Sequence, residues 1–169
     1  MEAGGLQASY YANKWFSPYG SPFLSQVDEL VNFHWGNETD IIPGVAREYV
    51  SIEWEGYLWP AETGAHFFQT EANDGVRLYV DDELLIDSFS DVADGDVRRN
   101  TSVSAASLQA GELVPIKLQY YQSLGSAMVS LYWALPSGGG SLFTIVPSAN
   151  LYHKNNTEAI TARTMVLST

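Results

Sequence analysis

Glu53 and Glu55 stand two residues apart in the run VSIEWEGYL, a spacing that puts both carboxyl groups on one face of an extended strand. An acid and a base so placed could flank a glycosidic bond. That chemistry also needs a pocket that encloses the bond, and nothing around the pair supplies one, so a solvated outer face accounts for them. His34, His66 and His153 lack metal-ligand spacing, and His66 shares a strand face with Phe68 and Thr70, which predicts a packed core histidine. The acidic run DVADGD from Asp91 to Asp96 lacks the ordered carboxylates and terminal Glu of a calcium loop and reads as solvated. Arg98-Arg99 has no further basic residue just upstream, which makes it a poor cleavage signal. Asn73-Asp74-Gly75 reads first as a turn in which Asp74 accepts backbone N–H bonds. Nucleophile-elbow and phosphate-loop patterns are absent, so the residues predict a binding protein and no enzyme.

Aromatic side chains supply the other chemistry, because the C–H faces of sugars stack on Tyr and Trp. Tyr120 and Tyr121 are adjacent, and strand alternation turns one of them inward. Trp15, Phe16 and Tyr19 fall in the irregular stretch NKWFSPYGSPF and are further candidates. Twenty acidic residues against eight basic ones give a net charge of −12, a field that repels nucleic-acid phosphates and anionic lipid headgroups. Neutral glycans and cations such as Ca²⁺ remain compatible with it. The chain has no Cys, which excludes disulfides and thiolate metal sites. Three Asn-x-Ser/Thr sequons begin at Asn37, Asn100 and Asn155. There is no apolar run long enough to span a bilayer, and the opening MEAGG has neither the basic nor the apolar region of a leader.

The elements that must position these residues are strands. At 169 residues the chain is long enough to bury the inner faces of two sheets in one domain. Ile52 and Trp54 point one way and Glu53 and Glu55 the other; Val76, Leu78 and Val80 form an inner row opposite Arg77 and Tyr79. Asp81-Asp82 is a tight-turn signal, since Asp tolerates the left-handed conformation that a two-residue loop demands. Residues 113–121 and 128–133 predict two strong late strands joined by QSLGSA. The polar segment 88–107 reads as a long surface loop with at most a short edge strand, and ALPSGGG as a turn.

The segment from Val50 to Phe89 resembles the PA-fourteen domain, the β-sandwich module named after the anthrax toxin protective antigen. The matching elements are Trp54 and Gly56, Pro60 and Gly64, Phe68, Asp74-Gly75, the run Arg77-Leu78-Tyr79-Val80-Asp81, and Leu85-Ile86-Asp87. GLQASYYAN and PIKLQYYQSLGSAMVSLYW are similar to the family's first and last core strands. The resemblance implies an all-β, two-sheet antiparallel β-sandwich over residues 5–152, with 1–4 a flanking segment and 153–169 a tail or linker to a following domain.

The function so implied is a noncatalytic carbohydrate-binding or adhesion module of a larger extracellular or cell-surface protein, with glycans or glycoproteins as partners alongside the parent protein's other domains. A structural or protein-docking module and a glycosidase accessory domain are the alternatives. In the adhesin members an acidic pair and a second loop hold Ca²⁺, and sugar hydroxyls complete its shell. Carried over by position, the metal ligands are Asn73, Asp74 and Gln122, with the carbonyls of Leu124 and Ser126; Asp74, Tyr121 and Gln122 would touch the ligand. Asn73 stands where the pattern has Asp and Gln122 where it has Asn, which leaves one negative charge fewer for a hard cation.

Overall fold

Alternation in sequence becomes alternation in burial. Ile52 and Trp54 are fully buried while Glu55 faces solvent, and Val76, Leu78 and Val80 are buried while Arg77 and Tyr79 are half-exposed. The computed structural model describes residues 1–16, 20–93 and 95–155, and in them the regular elements are strands and two short 3₁₀ turns.

The strands are β1 (Glu2–Ala3), β2 (Leu6–Tyr11), β3 (Leu24–Asp28), β4 (Asn32–Gly36), β5 (Val50–Leu58), β6 (Gly64–Ala72) and β7 (Gly75–Val80). They continue with β8 (Glu83–Ser88), β9 (Arg98–Thr101), β10 (Ala106–Leu108), β11 (Val114–Gln122), β12 (Ala127–Ala134), β13 (Phe143–Ile145) and β14 (Leu151–His153). One sheet runs β1-β14-β5-β11-β7-β8, with β2 also on β5 and β3 on β2; the other runs β10-β6-β12-β13, with β4 on β12 and β9 on β6. All pairings are antiparallel. The chain is thus the expected two-sheet sandwich. Asp81 and Asp82, at φ 52° and 62°, form the tight β7–β8 turn.

Trp54, Tyr120 and Phe68 are the largest fully buried side chains, each contributing about 1.5–3 kcal/mol of burial. Trp35 stacks on Phe33 at 4.8 Å, and Phe33 stacks on Trp54 at 6.0 Å, which ties β4 across the core to β5. The Asp28 carboxylate accepts hydrogen bonds from Tyr10 (2.6 Å), Trp54 Nε1 (2.8 Å) and Gln26 (2.7 Å), so this buried group has donors on β2, on β5 and on its own strand.

Two differences from the sequence reading are physical. Segment 88–107 contains both β9 and β10, which pair with the free edge of β6 through backbone bonds that need no side-chain alternation. Glu2 pairs with His153 and Ala3 with Tyr152, so residues 2 and 3 join the sheet and the chain enters and leaves the sandwich side by side.

Candidate functional site

Four strands of the larger sheet bring the predicted residues to one end. Tyr11 at the close of β2 lies beside Ser51 at the start of β5, Ser51 beside Tyr121 near the close of β11, and Tyr121 beside Gly75 at the start of β7. Asp74, in the β6–β7 turn at φ 56°, accepts the backbone N–H of Val92 through Oδ1 (2.9 Å) and that of Ser123 through Oδ2 (2.6 Å). One carboxylate, 3% exposed, therefore clasps three segments. Asn73 is joined to it by a trans bond and donates its side-chain amide to the Asp96 carbonyl, while Asn73 Oδ1 is buried without a hydrogen-bond partner.

The second loop closes on itself. Gln122 is 0% exposed, and its Nε2 donates toward the carbonyls of Leu124 (3.0 Å), Gly125 (3.3 Å) and Ser126 (3.0 Å). Its Oε1 accepts the Tyr120 hydroxyl at 2.6 Å. Burial, together with the nearby Asp74 charge, raises Tyr120 well above the ordinary tyrosine range, so the hydroxyl keeps the proton it donates. Glu48 caps the loop by accepting the Gly125 N–H at 3.2 Å.

Tyr121 is the outward member of the tyrosine pair, yet it is only 6% exposed. Its hydroxyl donates to Asp91 at 2.7 Å, its ring meets Phe89 edge-on at 4.8 Å, and the Lys14 ammonium lies 4.9 Å from its centre. Burial and the bond to Asp91 raise Tyr121; the same bond, reinforced by the Lys14 charge, lowers Asp91.

The structure thus gathers Asn73, Asp74, Gln122, Leu124 and Ser126 at one end and places their polar atoms mostly in contacts within the chain. Asp74, Tyr121 and Gln122 have almost no surface to offer a ligand, because their polar atoms are spent on backbone N–H groups, Asp91 and loop carbonyls. Nor does the arrangement suit Ca²⁺, which wants six to eight oxygens. The loop carbonyls face a donor nitrogen, both Asp74 oxygens already accept N–H groups, and Asn73 is neutral. No group of three acidic or histidine side chains that could hold a metal occurs among the described residues.

What this end does present lies around Ser123. Lys14 donates to Ser123 Oγ at 3.0 Å and lies 3.5 Å from Asp91; the Tyr49 N–H donates to the Ser123 carbonyl at 3.0 Å. Next to these anchors the side chains of Trp15 (64% exposed), Tyr49 (51%) and Leu124 (54%) stand in solvent. Phe16, by contrast, is buried, stacked on Phe89 at 6.1 Å, and Tyr19 lies outside the described residues. Beside Asp91 a recess of about 400 Å³ is lined by Asp91, Val92, Ala93, Asp96, Val97 and Arg98.

Backbone strain concentrates here too. Of five non-Gly residues with positive φ among the described residues, Phe16 (59°), Tyr49 (54°) and Asp74 (56°) are at this end, and for bulky aromatic residues that conformation is uncommon. Sequence reasoning missed Lys14 and Tyr49, which carry no motif, and read Asp91 only as part of a solvated loop; Trp15 was visible as an aromatic candidate.

Elsewhere, Glu53 accepts the Gln119 amide at 2.6 Å and Glu55 faces Lys117 at 3.9 Å, cross-strand pairs on a sheet face. Burial and the neighbouring Glu53 raise Glu55. His66 is a core histidine with Nδ1 on the Gly64 carbonyl at 3.0 Å, but its Nε2 is buried without a partner. Arg98 reaches Ser88 Oγ (2.8 Å) and Ser90 Oγ (3.0 Å) and so anchors the loop, while Arg99 pairs with Glu71 on β6. Asn100 Nδ2 is buried on β9, which hides the nitrogen that glycosylation of this sequon would need.

Fold and site together define a two-sheet β-sandwich module with a built loop end, in which β1 pairs with β14. The family model for the PA14 domain matches residues 2–143, and the chain belongs to that family. It is 31% identical over 148 residues to the anti-sigma-I factor RsgI3 of Acetivibrio thermocellus, covering 88% of this chain and 21% of that protein. A solved anti-sigma factor domain-containing protein superposes with a TM-score of 0.78 at 29% identity, covering 90% of this chain and 48% of the other, so the chain spans less than half of either relative. A PA14 sugar-binding domain from an RTX adhesin shares the fold at a TM-score of 0.68 and 14% identity, covering 90% of this chain and all (100%) of that one.

Proposed function

We propose that this domain is a noncatalytic glycan-binding module of a larger, extracellular or surface-exposed protein, and that it binds through the rim around Ser123. The observation that carries the reading is the group of exposed aromatic side chains, Trp15 and Tyr49, anchored beside Lys14 and the Asp91 carboxylate. Aromatic faces take the apolar side of a sugar ring, and a nearby carboxylate and ammonium take its hydroxyls. The strained backbone of Tyr49 in the rim and of Phe16 and Asp74 behind it holds the rim's shape before a ligand arrives. The paired β1 and β14 support the same reading, since they lie on β5 towards Leu58 while the rim lies at the Val50 end. The adhesin domain described as sugar-binding adds that this fold can serve such a role.

A second reading, docking of another protein, is favoured by exposed Leu124 and by the likeness to proteins named as anti-sigma factors. A glycan array with polysaccharide affinity gels, run with Ca²⁺ and with EDTA, separates the two. Glycan binding is expected, and Trp15→Ala or Tyr49→Ala should weaken it about tenfold, ~1.4 kcal/mol, without changing thermal stability. An array without binders in either buffer would overturn the glycan reading and leave protein docking.

A further inference from the structure

Three carbonyl oxygens converging on one point are an arrangement suited to a cation, and here the point is held by a nitrogen. Gln122 Nε2 lies 3.0, 3.3 and 3.0 Å from the carbonyl oxygens of Leu124, Gly125 and Ser126, with two N–H groups serving three acceptors. We infer that the Gln122 amide takes the place of the cation in the metal-dependent members of the fold, so that the Gln122–Ser126 loop is closed from within and this end keeps its shape without Ca²⁺.

The reverse orientation of the amide sharpens the claim. The Tyr120 hydroxyl, 2.6 Å from the side chain, can accept as well as donate, so it tolerates either orientation. The carbonyls do not. With Oε1 turned inward, four oxygens would face one another around a side chain that is itself 0% exposed, an unfavourable arrangement that a cation would relieve. The amide nitrogen and a metal are therefore alternatives for one position. Charge decides between them: Asp74 is the one carboxylate among the expected ligands, and its Oδ1 and Oδ2 already accept N–H groups at 2.9 and 2.6 Å, while Asn73 is neutral; the nearby acids are engaged as well, Glu48 with the Gly125 N–H and Asp91 with Tyr121 and Lys14. Fewer carboxylates weaken Ca²⁺ binding, whereas the two N–H groups are always present. The extra methylene of Gln over Asn supplies the reach that lets the side chain fold back over its own loop.

The test uses the whole chain, Ca²⁺ alone as the probe, and the near-isosteric Gln122→Glu variant, which removes both N–H donors and adds a charge at the same place. For the chelator-treated wild-type protein, calorimetry should show no saturable Ca²⁺ binding, and the melting temperature should be equal in EDTA and in 10 mM Ca²⁺. Gln122→Glu should melt about 5 °C or more lower in EDTA, with faster hydrogen exchange at Gly125 and Ser126, and Ca²⁺ should restore part of that loss. Saturable Ca²⁺ binding by the wild-type protein overturns the inference even if the variant does not fold. So does a Gln122→Glu variant as stable as wild type in EDTA, or one that Ca²⁺ leaves unchanged, since the amide would then not occupy a cation's position.

Discussion

Asp74 shows how much a single buried side chain is asked to do. Its two oxygens each hold a backbone N–H, one from Val92 and one from Ser123, and both donors lose their partner if the carboxylate is removed. Asp74→Ala should therefore cost about 2–4 kcal/mol in urea unfolding, because charge-assisted bonds are lost and buried amides are left unpaired. Its neighbour Gly75 is fixed by space. A Cβ there would meet Tyr121 Cε1 at 1.9 Å, and that ring is held by its bond to Asp91. Gly75→Ala should lower stability by about 1–3 kcal/mol. In a Tyr121→Ala background the same change should cost much less, a non-additivity that a double-mutant cycle measures.

At the scale of elements, the segment between β8 and β9 is held by its ends. Arg98, the first residue of β9, donates to Ser88 Oγ, to Ser90 Oγ and carbonyl, and to the Asp91 carbonyl at 2.8–3.4 Å, while Tyr121 and Lys14 hold the Asp91 side chain. Arg98→Ala should raise hydrogen exchange at Val92 about tenfold while leaving the β5 and β11 amides unchanged, because the bonds lost, about 1–2 kcal/mol in all, tie down the loop and not the core. The sequence predicts here a long surface loop with at most a short edge strand, since β9 and β10 are recruited by the open edge of β6 and carry no pattern of their own.

For the whole molecule, buried tyrosines predict an alkaline limit. Tyr10 is raised by burial and by its bond to Asp28, and Tyr120 by burial and the Asp74 charge. In the unfolded chain both lose their protons near the ordinary value of 10.0, while the folded protein keeps them. The folded state then binds more protons than the unfolded state, so stability falls as pH rises. Their contribution is complete below pH 10 and should decline above it by about 1.4 kcal/mol per pH unit for each tyrosine, as followed by urea unfolding at pH 9, 10 and 11. Tyr121, raised by burial and its bond to Asp91, adds to the same decline, so replacing Tyr10 with Phe should remove no more than about a third of the slope.

The sandwich was legible because period two writes burial directly into the chain: Ile52 and Trp54, and Val76, Leu78 and Val80, declare their buried face without reference to any distant residue. The Asp81-Asp82 turn is as local, and the Val50–Phe89 pattern carried the family. The residues gathered at the loop end were also visible as Asn73, Asp74 and the Gln122 loop. What each of them does was not, because it depends on partners far along the chain. Whether Asp74 meets a metal or the N–H of Ser123, whether Gln122 turns an oxygen or a nitrogen toward its own loop, and whether Tyr121 or Trp15 meets solvent are decided by contacts across 49 residues for Asp74 and 30 for Tyr121. Side-chain periodicity reports which face is buried; only the folded chain decides which donor reaches which acceptor.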